Sequence, residues 1–306
     1  MTLFNIWKEL FMNNLKFLKY RNQITNNKTT YIDMVDISGN GDIVPVIKYR
    51  TFDKYREIVH GFSTRLGGVS KEHLSSMNLS FSRGDERENV LENHRRFAKA
   101  VGYNSERLVF SDQVHDVNIH IVKEEDAGKG IIKESDINNI DGLVTNIKNI
   151  PLITFYADCV PLFFYDKVNK VVGLAHSGWK GTVGNIAAHM IQTMKNEYSS
   201  SPENIVVAIG PSICMDCYEI SEDVAVKFEA KYTDEELKNM LLNKGNGKYQ
   251  LDLHQACKYN FLNAGILENN ISMPDICTCC NPNELFSHRA SKGQRGNLAA
   301  VIMLKD

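Results

Sequence analysis

Residues 153–194 read ITFYADCVPLFFYDKVNKVVGLAHSGWKGTVGNIAAHMIQTM. Three apolar runs (151–156, 161–165 and 171–175) are too short for helices and are separated by turn-forming residues, so they read as strands. They are strongly apolar, and Asp158 and Cys159 break the pair formed by the first two. The pattern then changes period. Ile186, Ala187, Met190, Ile191 and Met194 share one side of a helix expected over 183–197. Short strands followed by an amphipathic helix predict a domain mixing helices and sheets.

The same alternation extends outward from this stretch. Strands are expected at 46–50, 57–62, 107–110, 117–122, 142–145, 205–209, 248–252, 271–276 and 298–304. Helices are expected at about 86–100, 222–231, 234–242 and 254–264. Residues 41–306 contain no internal repeat and no linker, so they predict one domain of mixed α/β or α+β class, taken as a single catalytic α+β domain. Before them, Leu3, Trp7, Leu10, Phe11, Leu15 and Leu18 recur at helical spacing, and residues 20–40 turn polar. This reads as an N-terminal extension over 1–40, with residues 1–33 dispensable and Met12 and Met34 alternative starts.

Composition limits the function. The 306 residues are 43% hydrophobic and 24% charged with a net charge of −2, which excludes a basic nucleic-acid binder and a disordered chain. The longest apolar run, Ile150–Tyr165, is short for a membrane span and contains Asp158. No signal peptide is expected, and seven cysteines in tight clusters make a poor disulfide framework. The expected setting is cytoplasmic, with reduced thiols and no nucleic-acid or membrane partner.

Reactive residues interrupt apolar strands in three places: His115 in SDQVHDV, Cys159 after Asp158 in ITFYADCVP, and His176 at the end of VVGLAH. Buried groups of this kind need partners. Two histidines and a thiolate make a good zinc donor set, and three protein ligands leave a fourth position open. Any one of them alone also fits a structural role. The loop SGWKGT (177–182), with Lys180 and Thr182, leads into a helix and suits an anion. Arg65, in HGFSTRLGGVS after a strand, could clamp phosphate. Cys214-x-x-Cys217 and Cys277-x-x-Cys280 have the composition of a rival four-thiolate site. The long gap between the pairs favours ordinary buried thiols beside a turn at GPSI (210–213).

Taken together, HGFSTRLGGVS, QVH, DGLVT, ADCVP, AHSGWKGT, GPSI with CYEIS, and FSHR resemble, in order, the multicopper-polyphenol-oxidoreductase-like (laccase-domain) family over about residues 55–304. The resemblance implies a single-domain α/β/β/α sandwich of the cysteine-hydrolase-like group. It also implies a metal site at His115, Cys159 and His176 holding about one zinc per chain, with copper(II) as the alternative. The implied activity is phosphorolysis of purine nucleosides (adenosine, inosine, methylthioadenosine) with adenosine deamination, and Arg65, Lys180 and Thr182 hold phosphate. Asp116 and Lys180 depart from the family's QVHG and GWRG patterns. A hydrolase editing peptidoglycan precursors, with Cys159 as nucleophile and His176 as base, is the alternative enzyme. Polyphenol oxidation has little support, because the cupredoxin-type HxH motifs are missing.

Overall fold

The computed structural model describes residues 18–306. A short hairpin, β1 (Lys19–Tyr20) and β2 (Gln23–Ile24), leads into β3 (Thr30–Asp36), β4 (Ile43–Tyr49) and β5 (Ile58–Ser63). Helix α1 (Arg87–Val101) precedes β6 (Ile119–Ile121), β7 (Gly142–Thr145), β8 (Leu152–Tyr156), β9 (Val160–Asp166) and β10 (Val171–Ser177). Short α2 (Trp179–Val183) and longer α3 (Ile186–Tyr198) lead to β11 (Ile205–Ile209). An outlying unit follows: β12 (Glu219–Ser221), α4 (Glu222–Glu229), α5 (Asp234–Met240), β13 (Leu241–Gly245) and β14 (Lys248–Leu251). Helix α6 (Leu253–Asn263), β15 (Ile271–Ser272), α7 (His288–Ser291) and β16 (Leu298–Leu304) complete the chain.

Two sheets carry the core. One is antiparallel with order β3-β4-β5-β16-β8, and the other is mixed with order β15-β11-β9-β10-β7-β6. Strands β9, β10 and β16 are buried at every position, which explains their unbroken apolar sequence. Phe62, Tyr156 and Ile302 of the first sheet share a buried cluster with Phe163, Leu174 and Ala208 of the second. Phe97 and Val101 of α1 pack on the outer side of the first sheet, against Val46 and Val301. On the outer side of the second, Met190 and Met194 of α3 and Phe261 of α6 cover Phe164 and Val207. At Gly173 an added Cβ would lie 3.0 Å from the Met190 Sδ, so the missing side chain is what lets α3 seat closely.

The structure departs from the expected elements in several places: residues 107–110 hold only an isolated bridge at Val109, and β15 spans two residues. Residues 20–40 belong to the fold: β3 pairs with β4 along its whole length, from Thr30 opposite Tyr49 to Asp36 opposite Ile43. The polar side chains that made this segment look like an extension are used in long-range bonds. Thr30 Oγ1 donates to Asp275 (2.6 Å), and Arg21 pairs with buried Asp252. Apart from Leu18, which is buried, the amphipathic stretch over 3–18 lies outside the described residues. The helix expected from 183 is interrupted at Asn185, whose left-handed backbone (φ 62°) and side-chain bond to the Ala188 N–H start a separate helix.

Candidate metal centre

The turn between β8 and β9 presents Cys159, and the C-terminal end of β10 presents His176. His115 comes from a loop held against the β8 edge by Gln113. That side chain accepts from the Phe155 N–H (2.7 Å) and donates to the Phe155 carbonyl (3.1 Å), standing in for a neighbouring strand. His115 itself has a left-handed backbone (φ 65°). Its Nε2 lies 3.8 Å from the Cys159 Sγ, and its ring meets His176 edge-on, 4.7 Å between centroids. The three ligating atoms lie within 4.8 Å of one another.

The surroundings fit a cation. The His176 Nδ1–H donates to the Asp141 Oδ1 (2.7 Å), which fixes the tautomer and turns Nε2 toward the other donors. Asp141 also accepts the backbone N–H groups of Val114, His115 and Asp116, so one buried carboxylate orients both histidines. Burial alone would raise the Asp141 carboxyl, but these bonds outweigh it and hold it below the usual range. Burial would also raise the Cys159 thiol. Instead, His176 and His115 bring it down to about 6. For His176, burial is outweighed by the Cys159 sulfur and Asp141, and the imidazole rises to about 9. A Cβ at Gly178 would lie 2.8 Å from His115 and 3.3 Å from the Cys159 sulfur, so this glycine keeps the space beside the donors open.

His115, Cys159 and His176 line one cleft of about 300 Å³. Phe81, Phe110 and Phe155 form apolar lining, and Arg83 and Arg295 bring positive charge. Burial and the neighbouring Arg83 lower Arg295 to about 10, and its buried Nε finds no hydrogen-bond partner among the described residues. These two arginines were not singled out from the sequence. The S-K-G-Q-R-G-N context of Arg295 carries no local signal of an anion site.

The three residues expected to hold phosphate lie elsewhere. Arg65 donates to the Ser75 and Pro282 carbonyls (2.9 and 2.8 Å) and stacks over Phe286, so its guanidinium is spent on joining loops. Lys180 is exposed over Trp179. Thr182 is buried, bonded to the Ser177 hydroxyl and the Gly178 carbonyl. None of the three lines the cleft.

A mixed α/β domain carrying a two-histidine, one-cysteine donor set in an open cleft is the class that fold and site define. A family model for multi-copper polyphenol oxidoreductase laccase matches residues 59–305, and the chain belongs to that family. It is 34% identical over 258 residues to purine nucleoside phosphorylase YlmD of Bacillus subtilis, covering 84% of this chain and 92% of that protein. Purine nucleoside phosphorylase LACC1 of Homo sapiens is 34% identical over 255 residues, covering 81% of this chain and 56% of its own. Among solved structures, YlmD from Geobacillus stearothermophilus superposes with a TM-score of 0.80 at 33% identity, covering 85% of this chain and 96% of that one. The family and the donor set both fit metal binding.

Proposed function

We propose that the chain is a zinc-dependent purine nucleoside phosphorylase acting on adenosine, inosine and methylthioadenosine, with adenosine deaminase activity in the same cleft. The names of its relatives support an enzyme of the phosphorylase kind. The observation that carries the reading is the cleft itself, where an open donor set shares about 300 Å³ with two arginines and three aromatic rings. In phosphorolysis a phosphate oxygen bonds to C1′ of the ribose as the C1′–N9 bond breaks and its electron pair leaves with the base. Arg295, with its unpartnered Nε, and Arg83 hold the attacking anion. Phe81, Phe110 and Phe155 give the base an apolar, stacking surface. When bound at His115, Cys159 and His176, zinc supplies Lewis acidity and an acidified water, and copper(II) is the alternative occupant. Asp141 holds His176 in the tautomer that the site needs.

Free thiols throughout the chain support a cytoplasmic setting. No helix among the described residues is long and apolar enough to cross a membrane. The helix–sheet–sheet–helix order of packing supports an α/β/β/α sandwich of the cysteine-hydrolase-like group.

Purified protein incubated with adenosine tests the proposal. Adenine and ribose 1-phosphate should form only with phosphate, inosine and ammonia should form without it, and His176→Ala should abolish both. No base release from any of the three nucleosides would refute the reading. One observation favours a second reading: Cys159, His176 and Asp141 line up as a nucleophile, a base and its orienting carboxylate. A substrate-derived adduct on Cys159 in metal-free, active protein would establish the hydrolase instead.

A further inference from the structure

We propose that Cys214, Cys217, Cys277 and Cys280 form a second metal centre, a structural four-thiolate zinc site separate from the His115–Cys159–His176 centre. The sequence allowed this grouping without favouring it, and the fold brings all four Sγ atoms within 4.8 Å of one another. Cys217 and Cys280 are 3.5 Å apart at sulfur, and Cys214 and Cys280 are 3.9 Å apart. Four sulfurs bound tetrahedrally to zinc at about 2.3 Å lie about 3.8 Å from one another. A disulfide would need about 2.05 Å. All seven cysteines are free, and the fifth thiol of the neighbourhood, Cys279, lies outside the four.

The backbone is arranged around thiolates. Cys214 precedes a tight turn, Met215–Cys217, closed by a bond from the Cys217 N–H to the Cys214 carbonyl (3.1 Å). The second pair is brought alongside by a bridge between Ser212 and Cys277, with the Thr278 N–H donating to the Ser212 carbonyl (3.1 Å). The N–H groups of Cys214 and Cys280 both point at the Cys277 Sγ, at 3.2 and 3.4 Å. The β1–β2 turn also reaches the cluster, with the Asn22 Oδ1 3.3 Å from the Cys280 Sγ. Donors aimed at sulfur favour the charged thiolate, which is the form a metal binds. Cys214 and Cys277 are buried and the four lie outside the cleft lining, so the set has the closed character of a structural site.

The centre joins the N-terminal hairpin to two loops that support the first site. Thr278, next to Cys277, donates its hydroxyl to Asp158 (2.7 Å), and the Ile213 N–H, next to Cys214, donates to the Asp158 carbonyl (3.0 Å). Asp158 holds a left-handed backbone (φ 90°) immediately before Cys159. Zinc at the four thiolates therefore fixes the turn that presents Cys159.

Zinc content and zinc X-ray absorption of the full chain test the proposal. Wild type should hold about two zinc ions per chain. The double variant His115→Ala/His176→Ala, which leaves the four cysteines untouched, should hold about one, in a sulfur-only shell at about 2.3 Å. Adding Cys280→Ser to that variant should remove it. A double variant without zinc, or whose zinc has nitrogen neighbours, would overturn the proposal. So would a Cys217–Cys280 disulfide in freshly isolated protein. Nucleoside turnover plays no part in these measurements, so the proposed activity can fail while this centre stands.

Discussion

The Asp141 carboxylate accepts four hydrogen bonds, one from the His176 ring and three from the backbone N–H groups of residues 114–116. Asp141→Asn keeps the shape but turns an acceptor into a donor facing other donors. We expect a 10–100-fold loss of metal affinity at the His115–Cys159–His176 centre, on the order found for such outer partners. Chelator competition would measure it, and unchanged affinity would show that His176 needs no such support. Arg295→Ala tests the arginines. It should raise the KM for phosphate by at least about tenfold, the worth of one charge-assisted hydrogen bond of 1.5–3 kcal/mol, while leaving phosphate-independent deamination nearly unchanged. Arg65→Ala should instead lower stability, since its partners are carbonyls of two loops. Equal damage to both activities by Arg295→Ala would mean that it positions the nucleoside. At this scale the sequence made the donor set legible, because Cys159 and His176 stand at the ends of apolar runs and His115 stands in a polar segment just before one, although the structure puts His115 in a loop and Cys159 in a turn. It hid Asp141, Arg83 and Arg295, whose roles depend on neighbours remote in the chain. It could not show that Arg65 bonds the Ser75 and Pro282 carbonyls, because an arginine after a strand looks the same whether it faces a ligand or a carbonyl.

Strand β3 shows what the sequence conceals about elements. Its residues TYIDMVD follow no strict two-residue alternation and sit in polar surroundings, and pairing with β4 is what half-buries Ile32, Met34 and Val35 against the core. The central strands were legible because burial on both faces leaves an apolar run that admits few other readings. The break at Asn185 was not, since a left-handed residue leaves the helical period on either side intact. A chain starting at Met34 loses half of β3, the Leu18 side chain, the Arg21–Asp252 pair and the Asn22 side chain beside Cys280. Leu18 alone contributes about 2 kcal/mol of burial. We therefore expect the Met34 start to be far less stable than a start at Leu18, with Tm lower by at least about 4–8 °C. Equal melting temperatures would restore the reading of residues 18–33 as dispensable.

Across the whole molecule, the core encloses three histidines that belong to neither donor cluster found among the described residues. His60 accepts from the Tyr49 N–H (2.9 Å), His94 bonds the Leu79 carbonyl (2.9 Å), and His254 bonds the Ser212 hydroxyl and the Tyr20 hydroxyl. Burial lowers all three, His60 to about 3 and the other two to about 4, from an ordinary value of 6.5. Below that ordinary value the unfolded chain takes up protons that the folded chain refuses, so stability is full above pH 6.5 and falls as pH drops toward 4. Each histidine contributes a slope of up to about 1.4 kcal/mol per pH unit in that window. His94→Gln keeps an N–H for the Leu79 carbonyl while removing one titrating group. Urea unfolding of both proteins across the window should show the variant's slope smaller by about one proton. Because the other sites are common to both proteins, acid loss of metal cancels in the comparison. Identical slopes would mean that His94 is charged in the folded protein, against the burial that surrounds it.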